Sequence, residues 1–218
     1  MLLYDYKAPS PRRVRIFLAE KGLTLPTVTV DLGKGEQFAE AYRAKNPRCT
    51  VPMLELDDGT CIWDTLAICE YLETLHPEVA MFGRNPVEHA SVVMWFQRLE
   101  WEGFSATADV FRNANPAFKD HSLTGATPAA QIPGLIERGR ARMATFYRDL
   151  NDRLAASEYV AGNFFSLADI QLLCVLDFAT GWGRMPVPEE CAALTAWHRK
   201  TAARPSTIES TAGTSAKA

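Results

Sequence analysis

Five cysteines, Cys49, Cys61, Cys69, Cys174 and Cys191, are scattered along the chain. Their odd number, with no C-x-x-C pair and no metal-ligand spacing, excludes a disulfide scaffold, a structural zinc site and a dithiol redox pair, and leaves small buried apolar residues. His76, His89 and His198 have no spacing partner for a metal or a triad and read as helix-end or surface residues. No metal is expected. Gly33-Lys34-Gly35 lacks the spacing of a phosphate loop. What remains is a set of hydroxyls and carboxylates at element starts. Ser10-Pro11 precedes an apolar run with helical period, as an N-cap followed by proline at the first helical position does. Asp64-Thr65 opens another helix, where either side chain can cap free backbone donors. Ser166-Leu167-Ala168-Asp169 is a helix-start box with an acidic third residue, and reads as structural. Val51-Pro52 begins a strand, where proline removes a ladder donor. The chemistry open to such groups is the binding of charged ends and the stabilisation of an anion, with no strong base among them.

The elements that must position these residues change character along the chain. Its 218 residues, 47% of them hydrophobic and 22% charged, fit two small globular domains. A net charge of −3 offers no field for nucleic acid or an anionic membrane. No stretch approaches the roughly 20 apolar residues of a bilayer span, and no secretory block opens the chain, so a cytoplasmic protein is expected. The first third reads strand (2–4), helix (from Ser10 to Gly22), strand (25–30), short helix (38–44), hairpin around Asp57-Asp58-Gly59-Thr60, and helix from Thr65 to His76-Pro77. Residues 77–86 read as a linker. Beyond them everything is helical: a run of about 28 residues that follows the linker, includes Val92 through Phe111 and ends at Asn115-Pro116, a second helix over 129–156, and a third, apolar all round, from Leu167 to Phe178. The small residues of 206–218 read as a flexible tail.

Three blocks, SPRRVRIFLAEKGL, NPRCTVPMLELDDGTCIWDTLAICEYL and EYVAGNFFSLADIQLL, resemble the cytosolic glutathione S-transferases in content, order and spacing over roughly residues 1–205. The nearest resemblance is to the yeast-like fungal and bacterial subgroup, through VDLGKGEQF, VPMLELDDGT and VPEECAAL. It implies an α/β thioredoxin-like domain (1–78) that binds glutathione, an all-α domain (86–205) that supplies the electrophile pocket, and a role in detoxification by conjugating glutathione, the co-substrate, to small hydrophobic electrophiles. The alternatives on the same fold are a glutathione-binding interaction module without transferase chemistry, and a glutathione-dependent isomerase or dehalogenase. The resemblance further implies a cis bond at Val51-Pro52 that turns the Val51 backbone toward the peptide, and contacts of Asp64 and Thr65 with the γ-glutamyl end. Asp-Thr stands where the family usually has Glu-Ser. Lys34 and Gln37 fall where the family places groups for the glycyl carboxylate.

A thiol of pKa about 8.5 is mostly protonated near neutrality, and lowering that value by two units needs about 2.7 kcal/mol. A hydrogen bond to the charged sulfur supplies about 1.5–3 kcal/mol and a helix N-terminus about 0.3–1 kcal/mol, so one hydroxyl and one helix end suffice. Tyr4, Tyr6 and Ser10 are the hydroxyls near the first strand. The subgroup resemblance implies instead a water held by polar groups of the second domain, near Arg112 and Asn113, with a histidine for which the reading identifies no match. The electrophile pocket is expected against Tyr6, Ala8 and Pro11 from the first domain and Phe104, Ala108 and Phe111, on one helix face, from the second. A homodimer is expected from the resemblance and from the apolar arc of Val92, Val93, Trp95, Phe96, Leu99 and Trp101.

Overall fold

The structure, a computed structural model, describes residues 1–212. Contacts divide the chain into two units, one of residues 1–79, 124–127 and 205 onward, the other of 80–123 and 128–204.

The first unit is built on short strands: β1 (Leu2–Asp5), β2 (Thr27–Thr29), β3 (Met53–Glu55) and β4 (Cys61–Ile62), in sheet order β2-β1-β3-β4. β2 runs parallel to β1, with Leu3 opposite Thr27, while β3 is antiparallel to β1 and β4 to β3. The parallel step is made by the crossover helix α1 (Pro9–Glu20), and the antiparallel one by the expected hairpin, where Gly59 at φ +86 takes the left-handed turn position. The second strand is shorter than the expected 25–30, because only Thr27–Thr29 find ladder partners. A 3₁₀ turn (Glu36–Phe38), α2 (Glu40–Lys45) and α3 (Thr65–Leu75) complete this αβ order. Val30, Tyr42, Val51 and Met53 form a small core on which Tyr4, Tyr6, Leu32 and Cys61 pack. Val14, Ile16 and Phe17 of α1 and Ile68, Cys69 and Leu72 of α3 are buried, and the two helices meet. Lys21 ties them: its ammonium pairs with Glu73 (2.6 Å) and donates to the carbonyls of His76 and Val79 at the end of α3.

The second unit is helical: α4 (Pro86–Leu99), α5 (Ser105–Ala114), α6 (Pro133–Ala156), α7 (Leu167–Gly181) and α8 (Ala192–Ala202). The single long helix expected over Val92–Phe111 is α4 and α5, joined by a π-helical turn over Glu100–Phe104. That turn holds Gly103 where an added Cβ would lie 2.6 Å from the Phe146 ring, so the chain can approach α6 this closely only with glycine. Gly139 does the same for the crossing of α6 on α5, since a Cβ there would meet Val110 at 2.7 Å. α6 begins later than the expected 129, at Pro133, which has no N–H to leave unpaired. α7 is central: every residue from Leu167 to Leu176 is buried, as its all-round apolar character requires.

Two expectations are corrected. Residues 77–86 are not wholly a linker: Met81 and Phe82 are buried in the second unit and the Met81 carbonyl accepts from Leu167 N–H. Pro and Gly suggested a linker there, but two large apolar side chains decide the packing. The flexible tail begins too early. Pro205–Ala212 form a helix, α9, that packs on α1, with the Arg12 and Arg15 guanidinium groups bonded to the Ser210 hydroxyl and carbonyl and Ser206 bonded to Glu20. Residues 213–218 of that expected tail lie outside the described residues.

Candidate active site

Three hydroxyls compete near β1, and their partners separate them. Tyr4 donates to Glu55 (2.7 Å) and accepts from Lys45 (2.9 Å), so its hydroxyl is occupied in both directions. Burial and then the negative charge of Asp31 push the Tyr6 phenol above its ordinary value. Ser10 is different. Its Oγ accepts from Arg13 Nη2 at 2.7 Å, and its own hydroxyl hydrogen has no acceptor among the described residues.

The expected N-cap role of Ser10 is corrected. α1 starts two residues earlier, at Pro9, with Ala8 as N-cap and no side-chain cap. Pro9 and Pro11 have no N–H, and the Arg12 N–H already bonds the Ala8 carbonyl (3.2 Å). Of the donors that a helix start leaves open, only the Ser10 N–H remains, beside its hydroxyl. Pro11, buried in this turn, and Ala8 flank it. Arg13 is itself buried, which fixes a positive charge behind the Ser10 oxygen.

The other groups assigned to this unit sit on adjoining element starts. The Val51-Pro52 bond is cis, and the Val51 N–H and C=O have no backbone partner among the described residues. Asp64 is the exposed N-cap of α3 and accepts from Ala67 N–H (3.1 Å), while Thr65 is buried as the first helical residue. Asp64, not Thr65, is therefore the cap. The Gln37 Oε1 is buried without a hydrogen-bond partner. Lys34 is 75% exposed and lies 3.4 Å from Asp31.

In the second unit the expected polar pair has another task. Asn113 is buried, its amide donating to the Asp109 carbonyl (2.8 Å) and accepting from Ile132 N–H (2.7 Å). These bonds clamp the end of α5 to the start of α6. Arg112 uses Nη1 for the carbonyls of His121 (2.8 Å) and Leu123 (3.1 Å), and its guanidinium stacks on Phe118 at 4.6 Å. His121 is the residue that sequence reasoning passed over. It lies nine positions after Arg112 in the loop that Arg112 anchors.

Phe104 and Phe111 share the expected face, and Ala108 lies between them. Three rings were missed: Phe178 and Trp182 at the end of α7, and Phe118 in the loop. Phe178 stacks at 5.2 Å on Phe104 and 5.7 Å on Phe111; Phe111 meets Trp182 at 5.5 Å and Phe118 at 5.1 Å. An apolar helix running past Leu176 to aromatic residues was the available signal.

Asp169 is not part of any site. Its carboxylate accepts from Val160 N–H, Ser166 N–H and the Ser166 hydroxyl (3.0, 3.0 and 3.1 Å), the capping box read from sequence, and burial pushes its pKa up to about 7. No cluster able to hold a metal occurs among the described residues, and no described helix is long and apolar enough to cross a membrane.

Known proteins resemble this chain over most of its length. Residues 9–75 match the family model "Glutathione S-transferase, N-terminal domain" and residues 134–205 match "Glutathione S-transferase, C-terminal domain". Glutathione S-transferase 2 of Saccharomyces cerevisiae is 38% identical over 214 residues, covering 94% of this chain and 87% of that protein. The crystal structure of Gtt2 from Saccharomyces cerevisiae superposes with a TM-score of 0.87 at 36% identity, over 96% of this chain and all (100%) of that one. A maleylacetoacetate isomerase of Pseudomonas aeruginosa is 41% identical, but over only 93 residues, 41% of this chain and 44% of that protein.

Proposed function

The chain belongs to the glutathione S-transferase family, and from that premise we propose that it binds glutathione, stabilises its thiolate and conjugates it to small hydrophobic electrophiles. The observation that carries this reading is Ser10, where one residue offers both a backbone N–H at the helix end and a hydroxyl hydrogen, polarised by Arg13 bonded to the same oxygen. Two such donors supply about the 2.7 kcal/mol that a two-unit fall in thiol pKa requires. Ser10 is the catalytic donor in this reading and Arg13 a positioning residue. The Val51 backbone pairs with the extended tripeptide, as in strand addition. The Asp64 carboxylate takes the γ-glutamyl ammonium, and the start of α3 at Thr65 takes its carboxylate. Lys34, and Gln37 through its Nε2 donors, receive the glycyl carboxylate.

The thiol proton leaves to solvent, the sulfur attacks the electrophilic carbon, and the leaving group departs with its electron pair. Phe104, Ala108 and Phe111 form an apolar wall for that electrophile. A water held near His121 is the competing donor. Calorimetry with glutathione, paired with a thiolate absorbance titration, tests the reading: Ser10→Ala is expected to raise the thiol pKa, whereas His121→Ala would do so if the water were the donor. No binding at millimolar glutathione overturns the function itself.

We also assign the protein to the cytoplasm and to a homodimer. The dimer has a more specific surface than the arc expected from sequence, because Val92, Phe96 and Leu99 are buried in their own unit and Trp95 lies under the guanidinium groups of Arg98 and Arg153. Val87, Met94 and Trp101, spaced by seven, are instead 79%, 60% and 67% exposed. Such a stripe seeks a partner helix. Sedimentation decides: twice the monomer mass supports the dimer and the monomer mass overturns it.

A further inference from the structure

Helix α9 is attached to the first unit through hydroxyls. Ser206, Thr207 and Ser210 are buried, whereas Ile208 is 58% exposed. A contact of this kind covers little apolar surface, so its effect lies in the geometry it fixes. That geometry centres on Ser210, whose hydroxyl oxygen accepts from Arg12 Nε (3.3 Å) and whose carbonyl accepts from Arg15 Nε (3.2 Å). Arg15 also reaches the other way. Its Nη1 donates to the Asp5 carboxylate (2.5 Å) at the end of β1 and to the Tyr6 carbonyl (3.0 Å). The same Tyr6 carbonyl accepts from Ala8 N–H (2.8 Å), and the Ala8 carbonyl accepts from Arg12 N–H (3.2 Å). One guanidinium thus joins the last described helix to the turn of residues 6–8 from which α1 starts.

That turn gains from an outside hold. α1 has no side-chain cap, and among the described residues only the Arg12 N–H ties the backbone of its first turn to residues 6–8. Ser10 lies two residues past Ala8, so a shift of the turn moves its N–H and its hydroxyl together. Resting on the thiolate reading above, we propose that Arg15 is a positioning residue for thiol ionisation and that the docked α9 sets it: with Nε held by the Ser210 carbonyl, Nη1 stays on the Tyr6 carbonyl and keeps the Ser10 donors aligned on the glutathione sulfur. A guanidinium is planar, so fixing Nε fixes the direction in which Nη1 points. Released at Nε, the side chain regains rotamers and leaves Tyr6 more often. Hydrogen bonds weaken steeply with misalignment. A small displacement of the turn is therefore felt by the sulfur, while the peptide contacts at Val51 and Asp64 come from other element starts.

Two full-length variants test this. Arg15→Lys keeps the charge but carries one nitrogen where the bridge uses two. Ser206→Asp sets a carboxylate against Glu20, the α1 residue to which Ser206 is bonded, and so loosens α9. Glu20 is about 15 Å along the helix from Ser10, beyond a Debye length of about 8–10 Å, so the added charge itself scarcely reaches the site. In both variants the thiol of bound glutathione is expected to titrate about one pH unit higher than in the unmodified protein, a fall of about tenfold in its ionisation constant. Affinity for S-methylglutathione, which has no thiol to ionise, is expected to change less than about twofold. Hydrogen exchange at the Ala8 and Arg12 amides is expected to quicken about tenfold. Unchanged exchange, an unshifted titration, equal losses for the two peptides, or full rescue by Arg15→Lys each overturns the proposal. The transferase reading is judged on the unmodified protein. A bound thiol that titrates there with free glutathione sinks that reading and the thiol role of Arg15 with it. A lowered titration that both variants leave in place sinks Arg15 and α9 alone.

Discussion

Two helix starts in this chain are chemical opposites. At α7 the Ser166 and Asp169 side chains fill the donors of the first turn and of the preceding loop, inside a fully buried environment. At α1 there is no side-chain cap, two prolines delete donors, and the Ser10 N–H and hydroxyl hydrogen stay open beside a buried arginine. A polar group that is satisfied by its own chain stabilises the fold. One that the fold leaves open, while holding it rigidly, is available to a ligand. The same residue types serve both ends, so only the pattern of partners distinguishes structure from site.

The largest expected effect tests the sealed end. Asp169→Ala strands the buried Val160 and Ser166 N–H groups and is expected to cost about 3 kcal/mol or more, read as a fall in denaturation midpoint. Its titration gives a second handle. The carboxyl pKa is raised from 3.8 in the unfolded chain to about 7 in the fold, chiefly by burial. The folded state therefore holds the proton more tightly, and the stability tied to it is complete below about pH 4 and is lost as pH rises through about 7. Asp169→Asn is expected to remove that part of the pH slope; an unchanged slope would show that the carboxyl stays ionised in the fold.

At the open end the order reverses. Ser10→Ala is expected to lower kcat/KM by about tenfold to a hundredfold, the worth of one hydrogen bond to a charge of about 1.5–3 kcal/mol, while moving the denaturation midpoint hardly at all. A stability loss without a kinetic one would make Ser10 structural and erase the contrast. Asp64 lies between the two cases, since it caps α3 and is exposed. Asp64→Ala should weaken glutathione binding about tenfold and cost about 1 kcal/mol as a lost cap, both visible by calorimetry and melting. The smallest effect belongs to Lys34, away from any helix start. Its exposed pair with Asp31 is worth less than about 0.5 kcal/mol, so Lys34→Ala should leave stability unchanged and glutathione affinity altered by no more than about threefold.

Much of the fold was legible because its signals are local. The Asp-Gly hairpin, the helix opening at Asp64-Thr65 and the Ser166–Asp169 box depend on residues within a few positions, and each element stands where it was expected. The helix start at Ser10 was displaced by two residues because Pro9 and Pro11 both suit a first turn, and the sequence alone does not choose between them. The clamp made by Asn113 is not legible locally, because its partner, the Ile132 N–H, comes from 19 residues away. The set of rings around Phe111 is hidden for the same reason, as Phe178 and Trp182 reach Phe111 only through the packing of α7 near α5. Met81 and Phe82 show that composition misreads a segment whose few apolar residues happen to be core.

α9 has a consequence for how this protein is made. Helix α1 closes on a helix that comes some 190 positions later, through Arg12 and Arg15 on Ser210. During synthesis the first unit therefore emerges early with one flank bare, and waits while the ribosome produces the entire helical unit before its last piece arrives. Nascent chains stalled at about residue 200 should be more open to protease around α1 than released ones. A stop codon just before Pro205 would leave that flank bare for good.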